Sequence, residues 1–280
     1  MLDDLLISWL NSLSQGPTGP LKYLTESPED YNASLYHAAV AVHNGAVKPV
    51  TAVILSIILT MMIAQASTRI DGDRELGVRI ISGILLKAGL VIVFASNAMT
   101  ILQGIDEIGT TIAQAAIDTD VGGGGESVKL GDKLEDEVTG ADLTDKLALI
   151  VVILLPYIVA ELAGVAALVL IFIRFLQIYL MTAFGSLPIA FIAYEETKQI
   201  GIGYLKAYGS LVLSGVFIIL AVKFYQALMG SWAADNIDPG DKDLGDFMGE
   251  NFGMFFVAPV VLIFVLFSAT KLSKKVTGDA

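Results

Sequence analysis

Residues 147–194 read LALIVVILLPYIVAELAGVAALVLIFIRFLQIYLMTAFGSLPIAFIAY, 48 residues in which only Glu161 and Arg174 are charged. As one helix this stretch would be roughly 72 Å long at 1.5 Å per residue. That is more than twice the ~30 Å hydrocarbon core of a bilayer. It must therefore break, bend or run past the membrane, and Arg174 and the Gly185-Ser186-Leu187-Pro188 step are the natural places. Residues 175–194 then read as a helix overshoot, an interfacial helix or a re-entrant segment.

Four further stretches have the ~20 apolar residues a span needs: Val47–Ala66, Val78–Met99, Ala207–Gly230 and Met254–Thr270. The expected fold is an all-α, polytopic membrane protein with five transmembrane helices. Its parts are an N-terminal segment 1–46, spans one and two in 47–99, and an acidic loop 100–146. The over-long third region 147–194, a loop and fourth span in 195–230, a second acidic loop 231–253, and a fifth span with basic tail in 254–280 follow.

Basic residues set the direction. With the N-terminus outside, the inner segments 67–79, 195–206 and 271–280 hold eight Lys/Arg in 35 residues, against five in the 116 outer ones. The basic tail then falls in the cytoplasm. The same division explains the net charge of −12, which comes from 17 Lys+Arg against 29 Asp+Glu. The outer segments carry −17 and the inner ones +2. An acidic surplus repels phosphate, so stable sequence-specific nucleic-acid binding is not expected.

Mean hydropathy is +0.70 and only 16% of residues are charged, against the ~25% usual in globular domains. Cys is absent, which removes disulfides, thiolate nucleophiles and Cys metal sites. No H-E-x-x-H, G-x-S-x-G or Walker A pattern occurs, so no catalytic, cofactor or metal site is expected. His37 and His43, six apart, fall on different sides of a helix, and a surface or interfacial role is the default. Gly122–Gly125 reads as a hinge, because no Gly-Lys-Ser/Thr follows it. Lys129 to Lys146 reads as an acidic tether. Asp235, Asp238, Asp241 and Asp243 lack the spacing of a calcium loop and read as a solvated face.

The start, Met1-Leu2-Asp3-Asp4, lacks the basic region of a cleaved signal peptide. Leu2, Leu5, Leu6, Trp9, Leu10 and Leu13 instead form an amphipathic helix, lying at the outer interface or packed on the bundle. Ile101, Ile105, Ile108 and Ile112 extend the second span as an amphipathic helix beyond the bilayer.

Ionisable residues inside spans are the informative ones, since a charge at mid-bilayer costs about 2.5–3.5 kcal/mol. Lys87 and Glu161 have matching expected depth and opposite sign, and are expected to pair within one chain or across a subunit contact. Arg174 and Lys223 read as path or interface charges, or as side chains snorkelling to the nearer surface. Gly185 and Pro188 mark the helix break. Ala160, Gly164 and Ala167, with Gly209, Ser210, Ser214 and Gly215, permit close helix approach.

The layout resembles the TrbL/VirB-six family of type IV secretion and conjugation machines. Gly77-Val78-Arg79-Ile80-Ile81-Ser82-Gly83-Ile84-Leu85-Leu86-Lys87-Ala88 resembles that family's entry to span two. Phe184-Gly185-Ser186-Leu187-Pro188-Ile189-Ala190-Phe191, then Glu195-Glu196-Thr197 and Gly203-Tyr204-Leu205-Lys206, resembles the end of its third region. The third region here lacks the tryptophan that several members carry, since Trp9 and Trp232 both lie outside it. The resemblance implies a homo-oligomeric ring in the cytoplasmic membrane of a prokaryote, surrounded by lipids. It also implies single-stranded DNA with relaxase, or effector proteins, as cargo. Secretion ATPases and small membrane subunits are the implied partners, docking on Arg69, Arg74, Arg79, Lys198, Lys206, Lys271, Lys274 and Lys275. Different classes of reading are a small-molecule or ion transporter, against which five spans do not halve into repeats, and a structural membrane scaffold.

Overall fold

A computed structural model describes residues 2–68, 74–121, 129–236 and 249–278. Every regular element among them is helical. Five helical stretches are long and apolar enough to cross a membrane: Ala33–Ser67, Gly77–Ser96, Leu143–Ala183, Lys198–Ala233 and Phe252–Thr277. They coincide with the five expected from the sequence. Arg69, the Gly122–Gly125 run, Asp238, Asp241 and Asp243 lie outside the described residues, as do the side chains of Arg74 and Asp235.

Contacts divide the chain into two compact units: 1–25, 111–173 and 214–272 in the first, and 26–110, 174–213 and 273–280 in the second. In the first unit, helix α1 (Leu2–Gln15) buries Leu6, Leu10 and Leu13. It packs on two short helices, α7 (Leu130–Lys133) and α8 (Glu135–Gly140). The sequence treats 129–146 as a tether. Leu130, Leu134 and Val138, one helical turn apart, are instead fully buried. Asn11 Oδ1 accepts from the Gly131 N–H (2.8 Å) and Ser14 Oγ from the Leu130 N–H (3.1 Å). Side chains of α1 thus satisfy the free donors that begin α7. Lys146 closes the arrangement, 2.7 Å from Asp3 Oδ1. Of the two readings for α1, these contacts favour a helix packed on protein.

α1 ends at Gly16, whose φ of +63° is the left-handed conformation that glycine adopts freely. Its last carbonyls are taken up by helix α11 (Lys198–Asn236): Tyr225 donates its hydroxyl to Leu13 O, and Gln226 donates to Gln15 O at 2.9 Å. Trp9 stacks on Tyr157 of helix α9 (Leu143–Ala183), with ring centroids 4.6 Å apart.

In the second unit, Ser27 caps α2 (Pro28–Tyr31) by accepting from the Asp30 N–H. Asn32 does the same for α3 (Ala33–Val42) through the Leu35 N–H. A π turn, His43–Val47, joins α3 to α4 (Lys48–Ser67) without ending the helical run. Helix α5 (Arg74–Ser96) is followed after one residue by α6 (Ala98–Asp118), the expected extension of the second span.

α9 runs unbroken for 41 residues, through both Pro156 and Arg174. Arg174 therefore does not break it, because its side chain finds buried hydrogen-bond acceptors. The break comes at Gly185. A Cβ there would lie 2.8 Å from Met99 Cε and 2.9 Å from Leu102 Cδ1, so any larger residue must push these two side-chain ends aside. Helix α10 (Ser186–Ala190) and the 3₁₀ turn Phe191–Ala193 then lie against α4 and α5. Ala193 and Tyr194 share a core with Ile58, Met62 and Val91. Residues 186–194 thus pack beside two candidate spans as a broken continuation of the third region, running on along α4 and α5. The last helix is α12 (Phe252–Thr277).

Candidate functional site

The most buried polar constellation lies in the second unit. Arg174, Asp106 and Tyr208 are 5%, 6% and 0% exposed. Arg174 Nε donates to Leu211 O at 3.1 Å and Nη2 to Val212 O at 3.3 Å, on α11. Its guanidinium also sits 4.8 Å from the Phe175 ring centroid. From α6, Asp106 Oδ2 accepts the Tyr208 hydroxyl at 2.8 Å. Arg174 Nη1 and Asp106 Oδ1 are buried without a hydrogen-bond partner among the described residues. Burial pushes the Asp106 carboxyl up to about 6, against the pull of the Tyr208 hydrogen bond and the Arg174 charge. A carboxyl and a guanidinium held this way lock α6, α9 and α11 in register.

Arg174 was expected as a path or interface charge, or as one snorkelling to the nearer surface; its guanidinium is buried against the Leu211 and Val212 carbonyls. Lys223 acts locally as well. Its ammonium donates to Thr119 O at 2.7 Å and to Ile117 O, at the C-terminal end of α6. A cation there satisfies free carbonyls and opposes the helix dipole.

Lys87 has its ion pair within its own unit, with Glu195 at 3.6 Å. Glu161, the partner expected for it, belongs to the other unit and is exposed. The cause is the 186–194 segment, which runs along α5 past Ala95 and Val91 and so carries Glu195 to where Lys87 stands. Glu195 also meets Lys198 at 3.7 Å. Of the basic docking candidates in this unit, Arg79, Lys206, Lys274 and Lys275 are exposed and Lys198 is half-buried. Lys206 Nζ donates to Gly278 O at 3.1 Å, tying the tail to α11. Lys271, exposed, falls in the first unit. His37 is exposed, 3.7 Å from Glu29, whereas His43 is buried at 2% exposure. The six-residue spacing did separate them, but only one keeps a surface position.

Sequence reasoning missed Asp106, counting it among the loop acids. Its signal is weak: the apolar stripe of α6 leaves Ile108 and Ile112 exposed, while Leu102 and Asp106 face inward.

Residues 21–186 match the family described as TrbL/VirB6 plasmid conjugal transfer like protein, which is more than half of the chain. The chain belongs to the TrbL/VirB6 family. Comparisons with curated proteins and with solved structures return no match. Family and spans together make it a multi-pass membrane protein of a conjugal transfer, type IV secretion system. The matched region ends at Ser186, inside the Gly185–Pro188 break, and includes Lys87, Asp106, Glu161 and Arg174.

Proposed function

We propose that this TrbL/VirB6 member is a structural channel or scaffold subunit of a conjugative type IV secretion machine. In this reading it is a homo-oligomer in the cytoplasmic membrane that helps DNA, or DNA with bound protein, across. The observation that carries the reading is the family match laid over a bundle of five apolar helices. Oligomerisation is supported by α9. Leu154, Ile158, Val165, Leu168 and Phe172 are exposed, and with Glu161 they repeat at alternating spacings of four and three. This is the spacing of a helix-packing seam with one carboxylate at its centre. A carboxylate on an apolar face is costly in lipid; Tyr157, one turn away, hydrogen-bonds Glu161 within the chain, and we assign the seam around the pair to a subunit contact. The basic loops and tail are the surfaces proposed for the secretion ATPases, with the N-terminus outside.

The test is deletion of the gene from a conjugative donor, with complementation by the intact chain. Transfer frequency should fall by orders of magnitude and recover on complementation. Formaldehyde cross-linking during mating should also trap the transferring strand on this chain. Unchanged transfer in the deletion strain would overturn the assignment.

A further inference from the structure

A groove of about 300 Å³ opens between α4 and α5, within the second unit. Its walls are apolar: Ala52, Leu55 and Leu59 from α4 face Ile92 and Ala95 from α5. The hydroxyls in α4 that border it are already used. Thr51 donates to Val47 O and meets Ser186 Oγ at 2.9 Å, while Ser56 donates to Ala52 O. The groove therefore offers its occupant methyl and methylene groups along its length. At one end stands Lys48, exposed, with no hydrogen bond or ion pair among the described residues. Ser96, the last residue of α5, lies at the same end.

Two features identify what fits. Lys48 to Leu59 spans eleven residues, about 16 Å of helix rise, which is close to half of the ~30 Å hydrocarbon core. The groove is thus one leaflet deep. Its single charge is a cation at the end where the span expected from the sequence, Val47–Ala66, begins, which in that reading is the level of lipid headgroups. A lysine there, with its stem along apolar surface and its ammonium outward, recognises phosphate.

We infer that the groove between α4 and α5 binds one anionic phospholipid, an acyl chain lying along Ala52–Leu59 and the headgroup phosphate on Lys48. The bound lipid seals the two helices where their side chains leave space, so the pair presents a continuous face to the membrane. This holds whether or not the chain assembles into a ring.

The test is native mass spectrometry of the full-length protein in detergent, with phosphatidylglycerol or phosphatidylcholine added at equal concentration. The intact chain should retain phosphatidylglycerol preferentially. Lys48→Glu should lower that retention about fivefold or more, and Lys48→Arg should keep it. Ala52→Trp, which fills the groove, should lose both lipids while circular dichroism stays unchanged. Equal retention of the two lipids by the intact chain, or unchanged retention in Lys48→Glu or Ala52→Trp, overturns the inference. A peptide found in the groove in place of lipid overturns it as well.

Discussion

The Tyr208 hydroxyl donates to Asp106 Oδ2 at 2.8 Å, in a site where both side chains are withdrawn from solvent. The bond holds one carboxylate oxygen and leaves Oδ1 bare. Arg174 is close enough to pull electrostatically on the carboxyl, yet spends two of its donors on the Leu211 and Val212 carbonyls. An incompletely satisfied buried network carries large consequences for single substitutions.

Acidification should stabilise the protein through Asp106. Its carboxyl titrates at about 6 when folded, raised from 3.8 chiefly by burial. Between those values the folded state binds more protons than the unfolded one. The stability linked to this group is therefore complete below about 4 and lost as pH rises through 6. The melting temperature in detergent should rise on going from about pH 7.5 to about pH 5.5. In Asp106→Asn, which keeps the Tyr208 hydrogen bond and removes the titration, that rise should shrink. An identical pH response in both proteins would contradict the assignment.

Arg174 should tolerate no simple replacement. Arg174→Ala removes two charge-assisted hydrogen bonds to the Leu211 and Val212 carbonyls and a cation near the buried Asp106, at a cost of about 3 kcal/mol or more. Arg174→Lys should fare little better, because one ammonium cannot reproduce a planar fork aimed at two successive carbonyls. The double variant Arg174→Met with Asp106→Asn should lose less stability than the two single losses added together. Additive losses, read by denaturant or thermal unfolding, would show that the two side chains act separately.

These residues mark where the sequence is legible. Five spans, the extension of α5 into α6 and the break at Gly185 all follow from apolar length and the chemistry of glycine and proline. The partners of charges do not follow from depth along a span. Lys87 finds Glu195 because residues 186–194 run on along α5, and no periodicity reports which helix that segment follows. Leu130, Leu134 and Val138 were hidden among acids, although their four-residue spacing is helical. Asp106 was invisible because its burial depends on α9 and α11 rather than on its own neighbours.

Lys223 should behave as a helix cap. Lys223→Ala removes the cation from the Ile117 and Thr119 carbonyls, at a cost of about 1–2 kcal/mol. The loss should be local. Hydrogen exchange should quicken in the last turn of α6 and stay unchanged in α4 and α5. Lys223→Met, keeping most of the stem, should reproduce the loss, which separates charge from packing.

Because the chain contains no cysteine, single cysteines report orientation without background. Asp136→Cys, in the acidic segment proposed to face outward, should react with a membrane-impermeant maleimide on intact cells. Lys275→Cys, in the basic tail, should react only after lysis. The reverse pattern would invert the topology and move the proposed ATPase-docking surface to the opposite side.

Glu161 gives the sharpest test of assembly. It is exposed at the centre of the Leu154–Phe172 seam, a place where an ionised group in lipid costs about 2.5–3.5 kcal/mol. If the seam faced lipid, Glu161→Leu would improve the fit to the membrane and leave assembly untouched. At a subunit contact the same substitution removes the one polar residue that sets register and partner. Glu161→Leu should therefore yield stable chain of lower or mixed oligomeric mass in detergent, with reduced transfer, whereas Glu161→Gln should keep part of both. An intact oligomer and full transfer in Glu161→Leu would place the contact elsewhere.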